Sequence, residues 1–366
     1  MVAREFVSLG SPTARQNPAG FNPCQGVLHR GSIDATPKTA MIATHYNVDF
    51  SEHYLGPLMA ERGIDFLGWN TRYRGNEAFF ILEHALVDIG VGVDFLRERG
   101  YEQIVILGNS GGGSLMGAYQ SQAVEPNITA TRGSRLPEEV TQLSAADLYI
   151  SLNAHLGRPE VLTAWFDPSV VDETDPFAAD PELDLFAQDL PLDAAFVSRY
   201  RDAQVARNHR ITHWAIDELQ RISELGFRDR AFNLYRTWAD PRMVDGGLDP
   251  SDRQVGVCYA GDPRRANYSP AGIGLTNTLR TWLSMWSLEE SQCVGTPHLG
   301  RITEPALVIQ SLADTGVFPS DADAIFEALG SSDKTKELVA GDHYLLDPSD
   351  ARPAVANRIA AWVSER

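Results

Sequence analysis

The sequence has few basic residues and lacks a long apolar run. Its 366 residues include 31 Lys and Arg against 49 Asp and Glu, which gives a formal net charge of −18. Proteins that bind nucleic acids generally need a basic face to displace counterions, and an acidic protein is also repelled by anionic membrane surfaces. No stretch of about 18 apolar residues occurs, so no transmembrane helix is expected. We therefore expect neither a nucleic acid nor a membrane as a partner.

Cysteine is also scarce, because only Cys24, Cys258 and Cys293 occur. Three scattered cysteines are too few for a disulfide framework, and an odd number is typical of reduced thiols in the cytoplasm. Residues 1–9 contain one basic residue and lack the apolar segment of a secretory signal peptide. These features predict a cytoplasmic protein.

Short apolar runs alternate with amphipathic helical patterns near both ends of the chain. In the clearest helical pattern, Leu82, Leu86 and Ile89 lie on one face. Such alternation predicts a mostly parallel sheet that helices cover on both faces. A turn region rich in Pro, Gly and Asn separates the first two strands. The predicted strands are 5–10, 25–30, 39–45, 64–69, 103–108, 147–152, 305–310 and 336–340, and the predicted helices are 51–63 (capped by Ser51), 82–99, 111–122, 320–329 and 349–366.

The alternation stops between residues 156 and 302. This segment is first rich in Asp and Pro, then strongly helical with a predicted helix over 202–225, and finally rich in Gly, Pro and Asn. An insertion of this length between two strands predicts a cap or lid. The predicted domains are therefore a core of residues 1–155 and 303–366 and a mainly helical cap of residues 156–302.

The beginning of this insertion contains half of the net charge. Residues 160–200 hold ten acidic residues and one basic residue, Arg199. This composition predicts a solvated surface. If the segment borders the entrance of a substrate pocket, it should disfavour anionic substrates and favour neutral or cationic ones.

The sequence Gly108-Asn109-Ser110-Gly111-Gly112 matches the pattern G-x-S-x-G. It directly follows a predicted apolar strand and directly opens a predicted helix. A serine on such a tight turn projects its hydroxyl from the carboxyl edge of the sheet. The N–H of Gly111, at the start of the helix, can stabilise a developing oxyanion. Ser110 is therefore the candidate nucleophile; the alternative is a turn that only connects strand and helix.

With this motif in place, the chain resembles the α/β-hydrolase superfamily over residues 25–155 and 303–366. The resemblance implies an α/β-hydrolase fold and a catalytic triad in the order Ser, Asp, His. It assigns the general base to His343, just after the last predicted strand, and the acid to Asp314, just after the preceding one. Asp321 and Asp323 fit the start of the next helix better, and Asp342 should point away from its neighbour His343.

The family usually has His-Gly after its third strand, where a backbone N–H completes the oxyanion hole. Here the stretch reads Thr44-His45-Tyr46-Asn47, with tyrosine in place of the glycine. The N–H groups of Tyr46 and Asn47 are therefore alternative second donors beside that of Gly111. His45 is either a pocket residue or a structural histidine that binds loop backbone.

The pocket itself is predicted to be largely apolar, as ligand sites generally are. Its candidate lining residues are His45, Asn109, Trp282 and Trp286. The two tryptophans are four residues apart on one helix face, and packing in the interior of the cap is the alternative explanation for them.

A metal site is not expected. His209 and His213 have a spacing of four residues, which suits zinc, but the sequence indicates no third ligand. The charged neighbours Arg207, Arg210 and Glu218 are typical of a solvated helix face.

Together these features predict a cofactor-independent serine hydrolase that acts on a small hydrophobic molecule. A carboxylic ester is the first expectation, followed by a lactone, thioester or amide. The same triad also supports a carbon–carbon bond hydrolase, a lyase or an acyltransferase, because fold does not fix function. A receptor that retains the pocket without turnover is a further alternative, and the sequence is compatible with a homo-oligomer.

Overall fold

A computed structural model describes residues 2–14, 22–31, 38–270 and 272–366; residues 15–21 of the predicted turn region therefore lie outside it. Within the described residues, eight strands form one sheet in the order β1-β2-β4-β3-β5-β6-β9-β10, and two more form a small antiparallel sheet. The strands are β1 Ala3–Leu9, β2 Cys24–Arg30, β3 Thr39–Ala43, β4 Asp65–Asn70, β5 Gln103–Asn109, β6 Leu148–Leu152, β7 Ala231–Asn233, β8 Thr276–Thr278, β9 Ala306–Ser311 and β10 Lys334–Val339.

The main sheet is mostly parallel, as predicted. Strands β1 and β2 pair antiparallel, as do β2 and β4, and every other pairing is parallel. All eight strands predicted from the sequence are present. Because successive parallel strands run the same way, the residues that follow β3, β5, β6, β9 and β10 lie along one edge of the sheet.

Helices cover both faces of the sheet. The α-helices of the described residues, including those of the segment between β6 and β9, are α1 Leu55–Ala60, α2 Leu82–Glu98, α3 Gly112–Val124, α4 Arg158–Trp165, α5 Ala194–Glu224, α6 Pro241–Val244, α7 Pro263–Asn267, α8 Leu279–Thr281, α9 Gly295–Leu299, α10 Pro319–Ala328 and α11 Ala351–Ser364. A π-helical turn, Trp282–Trp286, continues α8.

The buried core lies on the two sides of the sheet because side chains alternate along each strand. Ile42 and Ile106 belong to a cluster with residues of α2 and α3. Met41 and Leu107, their neighbours in sequence, belong to a second cluster with residues of α1 and α11. Continuous apolar runs in β3 and β5 follow from this two-sided burial.

The segment between β6 and β9 packs in two ways. Leu162, Ile211 and Leu283 join the same apolar cluster as residues of α2 and α3. In contrast, a separate cluster around Phe196 and Tyr200 contains residues of this segment alone. The segment is therefore partly continuous with the core and partly a unit of its own.

Two predicted helix starts are wrong. Ser51 does not cap α1, which begins at Leu55 without a side-chain cap; the Ser51 hydroxyl instead accepts a hydrogen bond from the Asn70 amide at 2.9 Å. Helix α5 begins at Ala194, eight residues before the predicted start, because the Asp193 carboxylate accepts from the Phe196 N–H as an N-cap.

The face of α5 around Arg207 is not solvated as predicted. The Arg207 side chain is fully buried, and its guanidinium donates to the Glu173 carboxylate and to the carbonyl of Asp167 at 2.9 Å. His213 on the same helix is exposed and pairs with Glu289 at 3.1 Å. In the described part of the chain, no group of three His, Cys, Asp or Glu residues is arranged to hold a metal ion.

None of the described helices combines the length and the apolar composition that crossing a membrane requires.

Candidate active site

Ser110 stands on a sharp turn between β5 and α3. Its φ angle is +56°, a conformation that is uncommon for a residue with a side chain and typical of strained functional turns. The strain is held by backbone hydrogen bonds on both sides: the Ser110 N–H donates to the Leu152 carbonyl at 3.1 Å, and the Gly113 N–H donates to the Ser110 carbonyl at 3.1 Å. The hydroxyl is thereby fixed at the carboxyl edge of the sheet.

The structure brings the other two predicted residues to this hydroxyl. The Nε2 atom of His343, which follows β10, lies 3.1 Å from the Ser110 Oγ. Its Nδ1 atom lies 2.6 Å from the Asp314 Oδ2. The N–H groups of Gly316 and Val317 donate to the Asp314 Oδ1 at 2.9 and 3.0 Å, which fixes the carboxylate. Serine, histidine and aspartate thus form one continuous hydrogen-bonded chain.

The other nearby carboxylates are engaged elsewhere. The Asp342 Oδ1 accepts from the N–H groups of Tyr344 and Leu346 at 3.0 and 2.8 Å. Asp321 accepts from the Phe318 N–H at the start of α10 and pairs with Arg242 at 3.3 Å. Asp314 is therefore the carboxylate that orients His343.

Tyr259, from the segment between β6 and β9, also contacts this hydrogen-bonded chain, although it belongs to no recognisable sequence motif. Its hydroxyl donates to the Asp314 Oδ1 at 2.8 Å and lies 2.8 Å from the His343 Nδ1. Its ring packs on the imidazole with centroids 4.3 Å apart. A Cβ at Gly316 would lie 2.4 Å from the Tyr259 Cζ, so this position requires glycine. Tyr259 therefore contacts both Asp314 and His343.

Replacing Tyr259 by phenylalanine removes the hydroxyl and keeps the ring. Because a hydrogen bond to a charged group is worth roughly 1.5–3 kcal/mol, we expect kcat on an ester substrate to fall about tenfold while KM stays unchanged. Steady-state kinetics measures both. Tyr268→Phe, at a half-exposed tyrosine stacked on Phe177, is the control; an equal loss in both variants would contradict a positioning role for Tyr259.

Two asparagine side chains, Asn109 and Asn153, hydrogen-bond to backbone near Ser110 and at His343. The Asn109 side chain bonds to His53 at 3.0 Å and donates to the Leu152 carbonyl at 2.8 Å, and it does not line the cavity at Ser110. The Asn153 amide donates to the His343 carbonyl at 3.1 Å. Asn109, expected in the pocket, therefore bonds to His53 and Leu152, and neither of these residues lines the cavity.

A cavity of about 240 Å³ opens over Ser110. Of the predicted lining residues it includes His45, but not Trp282 or Trp286. Trp282 is buried, stacks on Phe166 and donates to Thr212. The cavity is lined by His45, Asn47, Val48, Glu77, Ser110, His155, Arg158, Trp165, Trp238, Tyr259, Gly272, Ile273, His343 and Tyr344. A larger cavity of about 670 Å³, lined from α5 and β7 among others, contains none of the predicted site residues.

None of the ten acidic residues of 160–200 lines the cavity over Ser110. Trp165 of this segment does line the cavity, and the preference for neutral or cationic substrates stays a prediction. The charged lining residues are instead Arg158, at the start of α4, and Glu77, whose side chains pair at 3.0 Å. Burial raises the pKa of Glu77 above its usual value despite this partner. Two buried histidines complete the polar lining: burial holds the pKa of His45 and of His155 well below the usual range, so both are neutral.

Of the proposed oxyanion donors, Gly111 lies directly after Ser110 at the start of α3. The Asn47 N–H is directed at the His45 Nδ1 at 3.4 Å, within its own loop. The Tyr46 side chain is buried, and its hydroxyl bonds to Ser114 at 3.1 Å. The loop after β3 contributes His45, Asn47 and Val48 to the cavity lining.

Helix α4, which carries Arg158, also contains a buried carboxyl group. The Glu160 Oε2 has no hydrogen-bond partner among the described residues, and burial raises the pKa of Glu160 from 4.5 to about 7. Between these pH values the folded state binds more protons than the unfolded state. The free energy of unfolding should therefore fall as the pH rises from 4.5 to 7.

Glu160→Gln should remove this dependence. We expect its Tm to exceed that of the wild type at pH 8, with a gain in unfolding free energy of at most about 3 kcal/mol, and to match it near pH 4. Melting curves across this range measure the effect. The exposed Glu365→Gln serves as control, and parallel curves for wild type and Glu160→Gln would contradict the expectation.

Comparisons with known proteins establish the fold. No family model and no curated protein matches the sequence. The α/β hydrolase GrgF from Penicillium sp. sh18 is 11% identical, with a TM-score of 0.53 over 99% of this chain and 98% of that one. DcsB, solved with its substrate analogue, is 10% identical, with a TM-score of 0.54 over 99% of both chains. The esterase domain of a Rhodothermus marinus protein is 12% identical, with a TM-score of 0.48 over 98% of this chain and 97% of that one. The similarity to GrgF, together with the mostly parallel eight-stranded sheet, shows that the chain has the α/β-hydrolase fold, and the prediction from the sequence is confirmed.

Proposed function

We propose that this protein is a serine hydrolase that cleaves a carboxylic ester. The observation that carries the proposal is the continuous chain from the Ser110 Oγ through His343 to Asp314, at 3.1 and 2.6 Å, at the base of an open cavity. A free serine hydroxyl is a weak nucleophile, and an adjacent base oriented by an acid is what activates it.

In the proposed reaction, the Ser110 Oγ attacks the ester carbonyl while its proton passes to the His343 Nε2. The carbonyl oxygen becomes an oxyanion, which the Gly111 N–H stabilises. His343 then donates the proton to the leaving alkoxide, and an acyl-enzyme forms. Water attacks this ester with His343 as base, and the acid leaves as Ser110 regains its proton. Asp314 stabilises the imidazolium in both halves.

The substrate we propose has an apolar part. The rings of Trp165, Trp238 and Tyr344 line the cavity together with Val48 and Ile273, and apolar walls with a few polar groups are typical of small-molecule sites. The segment 156–302 contributes Arg158, Trp165, Trp238 and Tyr259 to this lining. We propose that it is the cap of the core formed by residues 1–155 and 303–366.

A panel of esters, lactones, thioesters and amides with matched acyl groups tests the proposal. We expect saturable hydrolysis of at least one ester without any added cofactor or metal, at a rate above that for the matched amide. Tight binding of an ester with no turnover across the panel would contradict the proposal and favour a receptor.

A further inference from the structure

Two polar side chains approach the turn that carries Ser110 unusually closely. The His45 Nε2 and the Arg158 Nη1 lie 2.8 and 2.9 Å from the place that a Cβ at Gly111 would occupy. Any side chain at position 111 would displace both of them. Glycine suits the position after Ser110 because two polar side-chain atoms occupy the space that a Cβ would need.

Both atoms are within reach of an oxygen bound to the Gly111 N–H. A Cβ lies about 2.5 Å from the nitrogen of its own residue, so the two atoms lie at most about 5.4 Å from the Gly111 nitrogen. Two hydrogen bonds of about 2.9 Å each span up to about 5.8 Å. These distances therefore allow one oxygen atom to lie within hydrogen-bond range of the Gly111 nitrogen and of either side-chain nitrogen.

Arg158 has donors to spare and a fixed orientation. Its side chain is only 4% exposed. The Nη2 atom donates to Glu77 at 3.0 Å, whereas Nε is buried without a hydrogen-bond partner among the described residues. The guanidinium also packs against the rings of Tyr46 and Trp286, at 4.5 and 5.0 Å from their centroids. A buried cation held in this way is ready to bind an anionic oxygen.

His45 presents an N–H in the same direction. The N–H groups of Asn47 and Val48 point at its Nδ1 at 3.4 and 3.3 Å. A nitrogen that accepts such bonds carries no hydrogen, so in the neutral ring the hydrogen is on Nε2. The Asn47 Oδ1 lies 3.1 Å from Nδ1, so this tautomer requires the Asn47 amide to be assigned in the flipped orientation, with its NH₂ group toward the ring.

We propose that Arg158 and His45 complete the oxyanion hole, each donating a hydrogen bond, from Nη1 and Nε2, to the oxygen that the Gly111 N–H binds. The inference rests on the proposed function. It makes both residues catalytic residues, and it assigns to side chains a task that the resemblance assigned to a backbone N–H of Tyr46 or Asn47. A full positive charge on a side chain that is only 4% exposed stabilises a developing oxyanion more than it stabilises a neutral carbonyl, so its effect falls on kcat.

Substitutions test the two donors separately. Removing one oxyanion donor typically costs a factor of about 10²–10³ in kcat. We therefore expect Arg158→Gln and His45→Phe each to lower kcat by about 10² or more on a neutral aryl ester, with KM within about threefold of the wild type. Arg158→Lys should also lose activity, because lysine lacks the planar guanidinium. Arg132→Gln, at an exposed arginine paired with Glu290, is the control and should keep full activity.

A double variant separates a loss of stability in Arg158→Gln from a loss of catalysis. Arg158→Gln leaves the Glu77 carboxylate buried without its partner, which destabilises the protein. Adding Glu77→Gln removes that charge, so the double variant should regain the Tm of the wild type while kcat stays low. Recovery of kcat together with Tm would overturn the proposal.

A comparison of two substrates tests whether Arg158 instead binds a carboxylate of the substrate. An aryl butyrate and the matched aryl hemisuccinate differ only in that carboxylate. We expect Arg158→Gln to lose the same factor in kcat on both esters. A loss confined to the hemisuccinate and expressed as a raised KM, or unchanged kcat in both Arg158→Gln and His45→Phe, would overturn the proposal and leave the proposed function intact. A wild-type protein that turns over no ester would contradict the proposed function, and with it this inference.

Discussion

Replacing Ser110 by alanine is expected to lower kcat/KM for ester hydrolysis by about 10⁴- to 10⁶-fold. The alanine lacks the oxygen that attacks the carbonyl, so no acyl-enzyme can form. What remains is whatever the Gly111 N–H and the cavity contribute to attack by water. Initial rates on an ester that the wild type hydrolyses measure the loss, and melting curves confirm that the fold is retained.

Ser144→Ala is a matched control for this substitution. The Ser144 hydroxyl donates to the Asp94 carboxylate at the surface, and neither residue lines the cavity over Ser110. Loss of this hydroxyl should therefore leave the rate unchanged. Retention of more than about a hundredth of the wild-type rate in Ser110→Ala, well above the residual activity of triad knockouts, would show that another group is the nucleophile.

The second large effect is expected for Asp314→Asn, with a fall in kcat of about 10⁴-fold. The Asp314 Oδ1 accepts from the N–H groups of Gly316 and Val317 and from the Tyr259 hydroxyl. In the variant these donors require the amide oxygen at the Oδ1 position. The NH₂ group then takes the place of Oδ2 and faces the His343 Nδ1. The imidazole must accept there, so its hydrogen moves to Nε2 and it can no longer take the proton of Ser110.

Asp342→Asn is the control, because Asp342 is adjacent to His343 in sequence but accepts from the N–H groups of Tyr344 and Leu346. An asparagine oxygen can accept both bonds, so kcat should stay within a few-fold of the wild type. Steady-state kinetics of Asp314→Asn and Asp342→Asn, with Tm measured in parallel, shows which of the two carboxylates the reaction needs. Equal losses in both would remove the distinction between the two carboxylates.

The fold and the candidate triad could be predicted because their signals are local. Apolar runs mark the strands, and the G-x-S-x-G turn lies between one strand and one helix. His343 and Asp314 follow consecutive strands of the C-terminal part, where the resemblance expects a base and an acid. The structure confirms the sheet and brings the three side chains together; their catalytic roles are proposals.

The remaining site residues could not be predicted because they depend on tertiary packing. Tyr259, Arg158 and His155 lie outside any motif, and only the folded segment after β6 brings them to Ser110. The same limit applies to the tryptophans: helical spacing groups Trp282 and Trp286 but does not show that the face is buried away from the cavity. Spacing on α5 likewise could not show that Arg207 is buried against Glu173.

Covalent labelling tests the central claim most directly. A fluorophosphonate reacts with an activated serine hydroxyl and leaves a stable adduct, which mass spectrometry of the digested protein locates. For the folded wild-type protein we predict one adduct per chain, on the peptide that contains Ser110, and none in Ser110→Ala. A folded wild-type protein that stays unlabelled, or that carries the adduct on another serine, would contradict the assignment of Ser110 as the nucleophile.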